Sequence, residues 1–148
     1  MEFVTGKTDR EDITIKELLC KNQNDKVLIE GAVHSIRNMG EIVFIILRKG
    51  EGLVQTVLEE GKLNGSFDRV REGDFLRVMG VVRDEERAPH GKEIYIESYN
   101  HITKISDPLP IAIDKWKLNT SLETKLDNRA LALRNIRERA KFRIQEAI

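Results

Sequence analysis

From Val27 the chain alternates apolar and polar positions with a period of two, and Val27, Ile29, Gly31 and Val33 fall on one face. That alternation is what a strand with one buried side writes into a sequence. A second strand is predicted over Glu41 to Arg48, after a turn around Asn38-Met39-Gly40. The turn Lys49-Gly50-Glu51-Gly52 leads into a third strand, Leu53 to Leu58, and these short spacings fit an antiparallel meander. Ser66 to Arg71 predicts one or two helical turns, capped by Ser66 and stopped by Gly73. A fourth strand is expected from about Asp74 to Arg83, with Gly80 marking a bend or bulge. After a charged loop, Asp84 to Gly91, which carries Pro89, a fifth strand covers about Glu93 to Ile105. Upstream, Thr14 and Glu17 frame a short helix as a capping box, ending in Leu18, Leu19 and Cys20.

Five strands with a short helix between the third and fourth is the order of an all-β OB-fold barrel, here over residues 13–106. Another small barrel or a sandwich is the competing arrangement; the helix placement and the central glycines favour the OB-fold. Residues 1–12 are polar and predicted to be flexible. Asp107-Pro108-Leu109-Pro110 ends the barrel, because prolines cannot continue a sheet ladder. Residues 107–127 read as a linker, and 128–148 as one helix with Leu133, Ile136, Ala140 and Ile144 on an apolar face.

Composition narrows the function. The 148 residues carry 25 Lys+Arg and 25 Asp+Glu, so bulk electrostatic coating of nucleic acid is disfavoured and a local basic site is not. Cys20 is the single cysteine, which rules out an intramolecular disulfide and a cysteine-based zinc site and points to a reduced cytoplasmic setting. Cys20 itself reads as a small core residue. Met1-Glu2-Phe3-Val4 has no basic-then-apolar signal pattern, and no run approaches a membrane span.

Three residues on the early strands carry candidate chemistry. Alternation puts Val43, Ile45 and Leu47 on one face of the second strand and Ile42, Phe44, Ile46 and Arg48 on the other. If the first set fills the barrel, Phe44 is an outward ring on which a base can stack. Gln55, on the facing strand, offers a donor and an acceptor for a base edge. Arg37 enters the turn after the first strand as a cation near the same edge. Taken singly, these are a core phenylalanine, a solvated glutamine and a surface arginine; jointly they fit recognition of an unpaired base.

The run Gly31-x-Val33-His34-x-x-Arg37-x-x-Gly40-x-x-x-Phe44-x-x-Leu47-Arg48-x-x-x-Gly52-x-x-Gln55 resembles the anticodon-binding domain of class II aspartyl-tRNA synthetases and the related asparaginyl enzymes. Pro108-Leu109-Pro110-Ile111 is similar to that family's exit from the barrel. Leu126 to Arg134, continuing to Phe142-Arg143-Ile144-Gln145, resembles the segment before its catalytic domain, above all in the archaeal-type branch. The resemblance implies that Phe44 stacks on the central anticodon base, a uracil, that Gln55 hydrogen-bonds it, and that Arg37 helps hold the loop. Glu93 falls near a position that reads neighbouring bases, with a gap in the match. His34 and Pro89 match positions that differ with tolerance for both aspartate and asparagine anticodons, and resemble the relaxed type. Arg48 and loop lysines would meet phosphates.

There are departures. Ala32 stands where the family has tryptophan, and Lys49-Gly50 replaces an acidic residue after Arg48. The motifs for ATP, amino acid and acceptor end lie beyond this segment in the family, and no catalytic or metal-ligating constellation is legible here. The expectation is therefore tRNA recognition without catalysis or a cofactor in this chain. The partner would be tRNA for aspartate, with asparagine tRNA open. ATP, Mg and most of a homodimer interface belong to a catalytic domain outside the chain. The alternative is a stand-alone OB-fold protein that acts through protein–protein association by its final helix, with weak or no RNA binding.

Overall fold

A computed structural model describes residues 11–50, 52–59 and 70–148. Five strands, β1 (Lys26–Asn38), β2 (Ile42–Lys49), β3 (Gly52–Glu59), β4 (Phe75–Asp84) and β5 (Lys92–Thr103), close into a barrel in the order β1-β2-β3-β5-β4. The neighbours pair antiparallel except β3 and β5, whose parallel contact closes the ring. This is the strand order of the OB-fold. Residues 1–10 and the proposed helical turns starting at Ser66 lie largely outside the described residues.

The alternation legible in the sequence fills the barrel. Val27, Ile29 and Val33 of β1 meet Val43, Ile45 and Leu47 of β2, Val54 and Leu58 of β3, Leu76, Val78 and Val82 of β4, and Ile94 and Ile96 of β5 in one core. Thr56 is fully buried among them, and its hydroxyl donates to the Ile45 carbonyl at 2.9 Å, so the polar group keeps a partner. Gly80 sits at a register shift between β4 and β5. A Cβ built there would lie 2.1 Å from the Tyr95 carbonyl oxygen, so the two backbones approach more closely than any side chain allows.

Helix α1 (Ile15–Leu19) carries the expected capping box: Thr14 Oγ1 accepts from Glu17 N, and the Glu17 carboxylate accepts from Thr14 N. Five residues cannot hold a helix alone. Ile15 and Leu18 anchor it by joining the barrel core, each contributing roughly 1.5–3 kcal/mol. Cys20 corrects the sequence reading. It is the C-cap of α1 and is exposed, because the face that buries Ile15 and Leu18 turns it outward.

The C-terminal third also departs from expectation. Ile111, Ile113, Leu118 and Ala132 form a second small core, and helix α2 (Leu122–Asp127) starts inside the stretch read as linker, capped by Ser121. The predicted single helix is two, α3 (Arg129–Ala132) and α4 (Ile136–Glu146). The break is at Asn135, 2% exposed. Its Oδ1 accepts from Arg137 N at 3.1 Å and Glu138 N at 3.2 Å, starting α4. Its Nδ2 donates to the carbonyls of Ile113, at 3.0 Å, and Lys115. A residue that must serve both the helix start and the 113–115 backbone cannot sit mid-helix. No helix among the described residues is long and apolar enough to cross a membrane.

Candidate nucleic-acid interface

The geometry of the outer sheet face starts from an irregularity in β1. Val33 pairs with Leu47, but the next pairing is Ser35 with Ile46, so His34 is an extra residue in the ladder. Strict alternation would put Arg37 on the inward face with Val33. The bulge reverses the parity beyond it. Ile36 pairs with inward Ile45, and Arg37 pairs with outward Phe44. Arg37 is therefore in the strand, not in the turn, and exposed beside a half-buried ring. The turn that follows is fixed by Asn38 Oδ1, which accepts from Gly40 N at 3.0 Å.

Two rows of side chains now cross the outer face. One runs Arg37, Phe44, Val57, Tyr95; the next, about 7 Å away along the strands, runs Ser35, Ile46, Gln55, Glu93, Arg83. Phe44 and Gln55 thus occupy adjacent rows on adjacent strands. Gln55 Nε2 donates to Glu93 Oε2 at 2.9 Å. Glu93 is 5% exposed, and its parallel register with Gln55 is direct.

A feature the sequence reading passed over completes the face. The Arg83 guanidinium lies over the Tyr95 ring, with Cζ 4.1 Å from its centroid. Burial, and then the Glu93 carboxylate, push the Tyr95 phenol up, which keeps it neutral. The available signal was alternation: Tyr95 is two residues beyond Glu93 and so shares its face. A guanidinium held over a ring offers a second surface on which a base can stack.

The remaining candidates lie elsewhere. His34 is 6% exposed, in a groove of about 520 Å³ shared with Ile36, Ile111 and Asp114, and not in the Phe44 row. Burial, and then the positive charge of Arg48, hold its imidazole below the ordinary value, while Asp114 opposes the shift. Pro89 opens a 3-10 turn, Pro89–Gly91, between β4 and β5. Its neighbour His90 approaches the start of β3, where a Cβ on Gly52 would lie 3.4 Å from His90 Nε2. Arg48 points outward from β2, one row beyond Gln55 and half-buried.

Comparison with known proteins agrees with this fold. The tRNA anticodon family model, an OB-fold nucleic acid binding domain, matches residues 27–102. The aspartate–tRNA(Asp/Asn) ligase of Archaeoglobus fulgidus is 36% identical over 130 residues, covering 85% of this chain and 30% of the ligase. The ligase of the same name from Methanocaldococcus jannaschii is 38% identical over 124 residues, covering 81% of this chain and 28% of its own length. The chain thus spans less than a third of these relatives. The crystal structure of asparaginyl-tRNA synthetase from Pyrococcus horikoshii, complexed with asparaginyl-adenylate, superposes with a TM-score of 0.78 at 26% identity, over 92% of this chain and 32% of that one. The barrel closes through β3 and β5 as an OB-fold does, and the chain belongs to the tRNA anticodon family of OB-fold nucleic acid binding domains, in the form found in aspartyl- and asparaginyl-tRNA synthetases.

Proposed function

We propose that this chain binds the anticodon loop of tRNA for aspartate or asparagine and reads the central base as uracil. The observation that carries the reading is the Gln55–Glu93 hydrogen bond one row from Phe44. Phe44 supplies the stacking plane, Arg37 a cation beside it, and Gln55 the base-edge contact. Committing one amide hydrogen to Glu93 fixes which end of Gln55 is the acceptor. Oε1 and the second N–H then face a base in a set order, which suits the N3–H and carbonyl of uracil. Cytosine presents acceptor and donor in the opposite order, and an amide held by Glu93 cannot turn over to meet it.

The whole protein is then an ATP-dependent aspartate–tRNA ligase of the cytoplasm. ATP and Mg serve its catalytic portion, which also supplies most of a homodimer interface, and this chain contributes recognition without catalysis. His34 and Pro89 support acceptance of both aspartate and asparagine tRNA, through packing around the bulge and the β4–β5 turn. A titration at fixed salt with tRNA carrying uracil or cytosine at the middle anticodon position tests the proposal. Tighter binding of the uracil form is expected, and equal affinities overturn base reading.

A further inference from the structure

Arg48 has no carboxylate partner among the described residues. Its Nε is shielded from water and has no hydrogen-bond partner. It lines a groove of about 640 Å³ together with Arg134, which lies between α3 and α4, and with Gly31, Ala32, Phe75 and Thr103 at one end of the barrel. The groove's two carboxylates are paired with other cations: Asp12 with Lys49 at 2.5 Å, and Glu30 with Arg77 at 2.5 Å. Among the described residues, neither Arg48, Arg134 nor Arg139 takes part in an ion pair. Burial, and then the charges of Arg134 and Arg139, push the Arg48 guanidinium below its ordinary value, and no carboxylate offsets them. Like charges that share a partly desolvated groove repel one another, and an anion placed among them adds an attraction to each that offsets the repulsion.

We propose that Arg48 and Arg134 form an oxyanion site, separate from the base-reading rows, that takes a phosphate group, supplied by an RNA backbone phosphodiester or by free phosphate. The planar fork of a guanidinium matches two oxygens of a tetrahedral phosphate, and more than one arginine is the usual means of holding such a charge. Arg48 lies four residues from Phe44 on the same face of β2, about 13 Å along the strand, so one RNA strand can engage both without overlap. The Lys49–Asp12 pair leaves the arginines as the groove's unneutralised charge. The site does not depend on uracil being the base that is read.

The test follows the Arg48 Nε–H resonance by NMR, since a shielded N–H exchanges slowly with water and gives a direct readout. Inorganic phosphate, titrated at constant ionic strength against chloride, should shift it saturably. Arg134→Ala, at an exposed position, should weaken the apparent affinity at least fivefold. A tRNA anticodon stem-loop identifies the source: displacement of phosphate by the RNA assigns a backbone phosphodiester, and a phosphate shift that the RNA leaves untouched assigns free phosphate. The same titration on Phe44→Ala separates the two proposals, because the phosphate response should persist where base-dependent RNA binding is lost. Absence of a saturable shift with either probe, a response unchanged by Arg134→Ala, or an equal response to acetate, which would mark a protein carboxylate as the occupant, overturns the assignment.

Discussion

Gln55 Nε2 donates to Glu93 Oε2 at 2.9 Å, across the one parallel contact in the barrel. The bond makes Glu93 a positioning residue for the amide that would read the base. With Glu93→Ala, Gln55 can rotate and offer its donor and acceptor in either order. Discrimination between uracil and cytosine at the middle position should fall by at least roughly tenfold, in keeping with about 1.5–3 kcal/mol for a hydrogen bond to a charged group. Paired affinity measurements on the two RNAs check this, and unchanged discrimination would remove Glu93 from the recognition scheme.

Phe44 is half-buried on the outer face, paired with exposed Arg37. Phe44→Ala should weaken anticodon stem-loop binding by roughly 1–3 kcal/mol, the contribution of one base–aromatic stack. The measurement is a dissociation constant at fixed salt, with chemical denaturation confirming that the barrel remains folded. Wild-type affinity would show that the ring is not the platform.

Gly80→Ala drives a methyl group into the Tyr95 backbone, 2.1 Å from its carbonyl oxygen. Backbone cannot swing aside as a flexible side chain can, so the loss should be at least roughly 1–3 kcal/mol. Gly50→Ala, with nothing within 4 Å, is the internal control and should stay within about 0.5 kcal/mol. Urea midpoints of the two variants give the comparison.

Asn135→Ala removes the α4 cap and strands the carbonyls of Ile113 and Lys115. Together these should cost the helical segment roughly 2–4 kcal/mol. Hydrogen exchange should accelerate in Ile136–Glu146 while the strands stay protected. Uniform exchange across the chain would mean that the second core depends on the barrel throughout.

His34 and His101 are both held below the ordinary histidine value, each by burial first and then by a nearby positive charge, Arg48 and Lys104 respectively. A depressed folded value means that the unfolded chain takes up protons first. Stability should therefore fall as pH drops below about 6.5, above the range in which carboxylates titrate. Urea midpoints between pH 8 and 5 should show that slope, and His34→Gln should flatten it. A slope that His34→Gln leaves intact would assign the effect to other groups.

The chain's alternating pattern was enough to identify the barrel-filling residues. Val43, Ile45 and Leu47 face inward because strand side chains alternate whatever the neighbours are, and that places Phe44 outward. The capping box at Thr14 was legible for the same reason: its bonds reach only three residues. The Asn135 break was not, because the carbonyls that hold the amide lie 20 and 22 residues away.

Sequence by itself determined the strands, their inward faces and the ring and amide that make a base-reading site conceivable, since each follows from local periodicity and residue chemistry. Only tertiary structure decided which residues the candidate site brings together. An extra residue at His34 turned Arg37 to the face of Phe44, and the parallel closure of β3 on β5 brought Glu93 to Gln55 and set Arg83 on Tyr95 beside them. The fold also carried Arg134 back to Arg48 from 86 positions away in the numbering, in a shared groove. Register, closure and long-range packing are properties of pairs of segments, and no single segment's pattern encodes its partner.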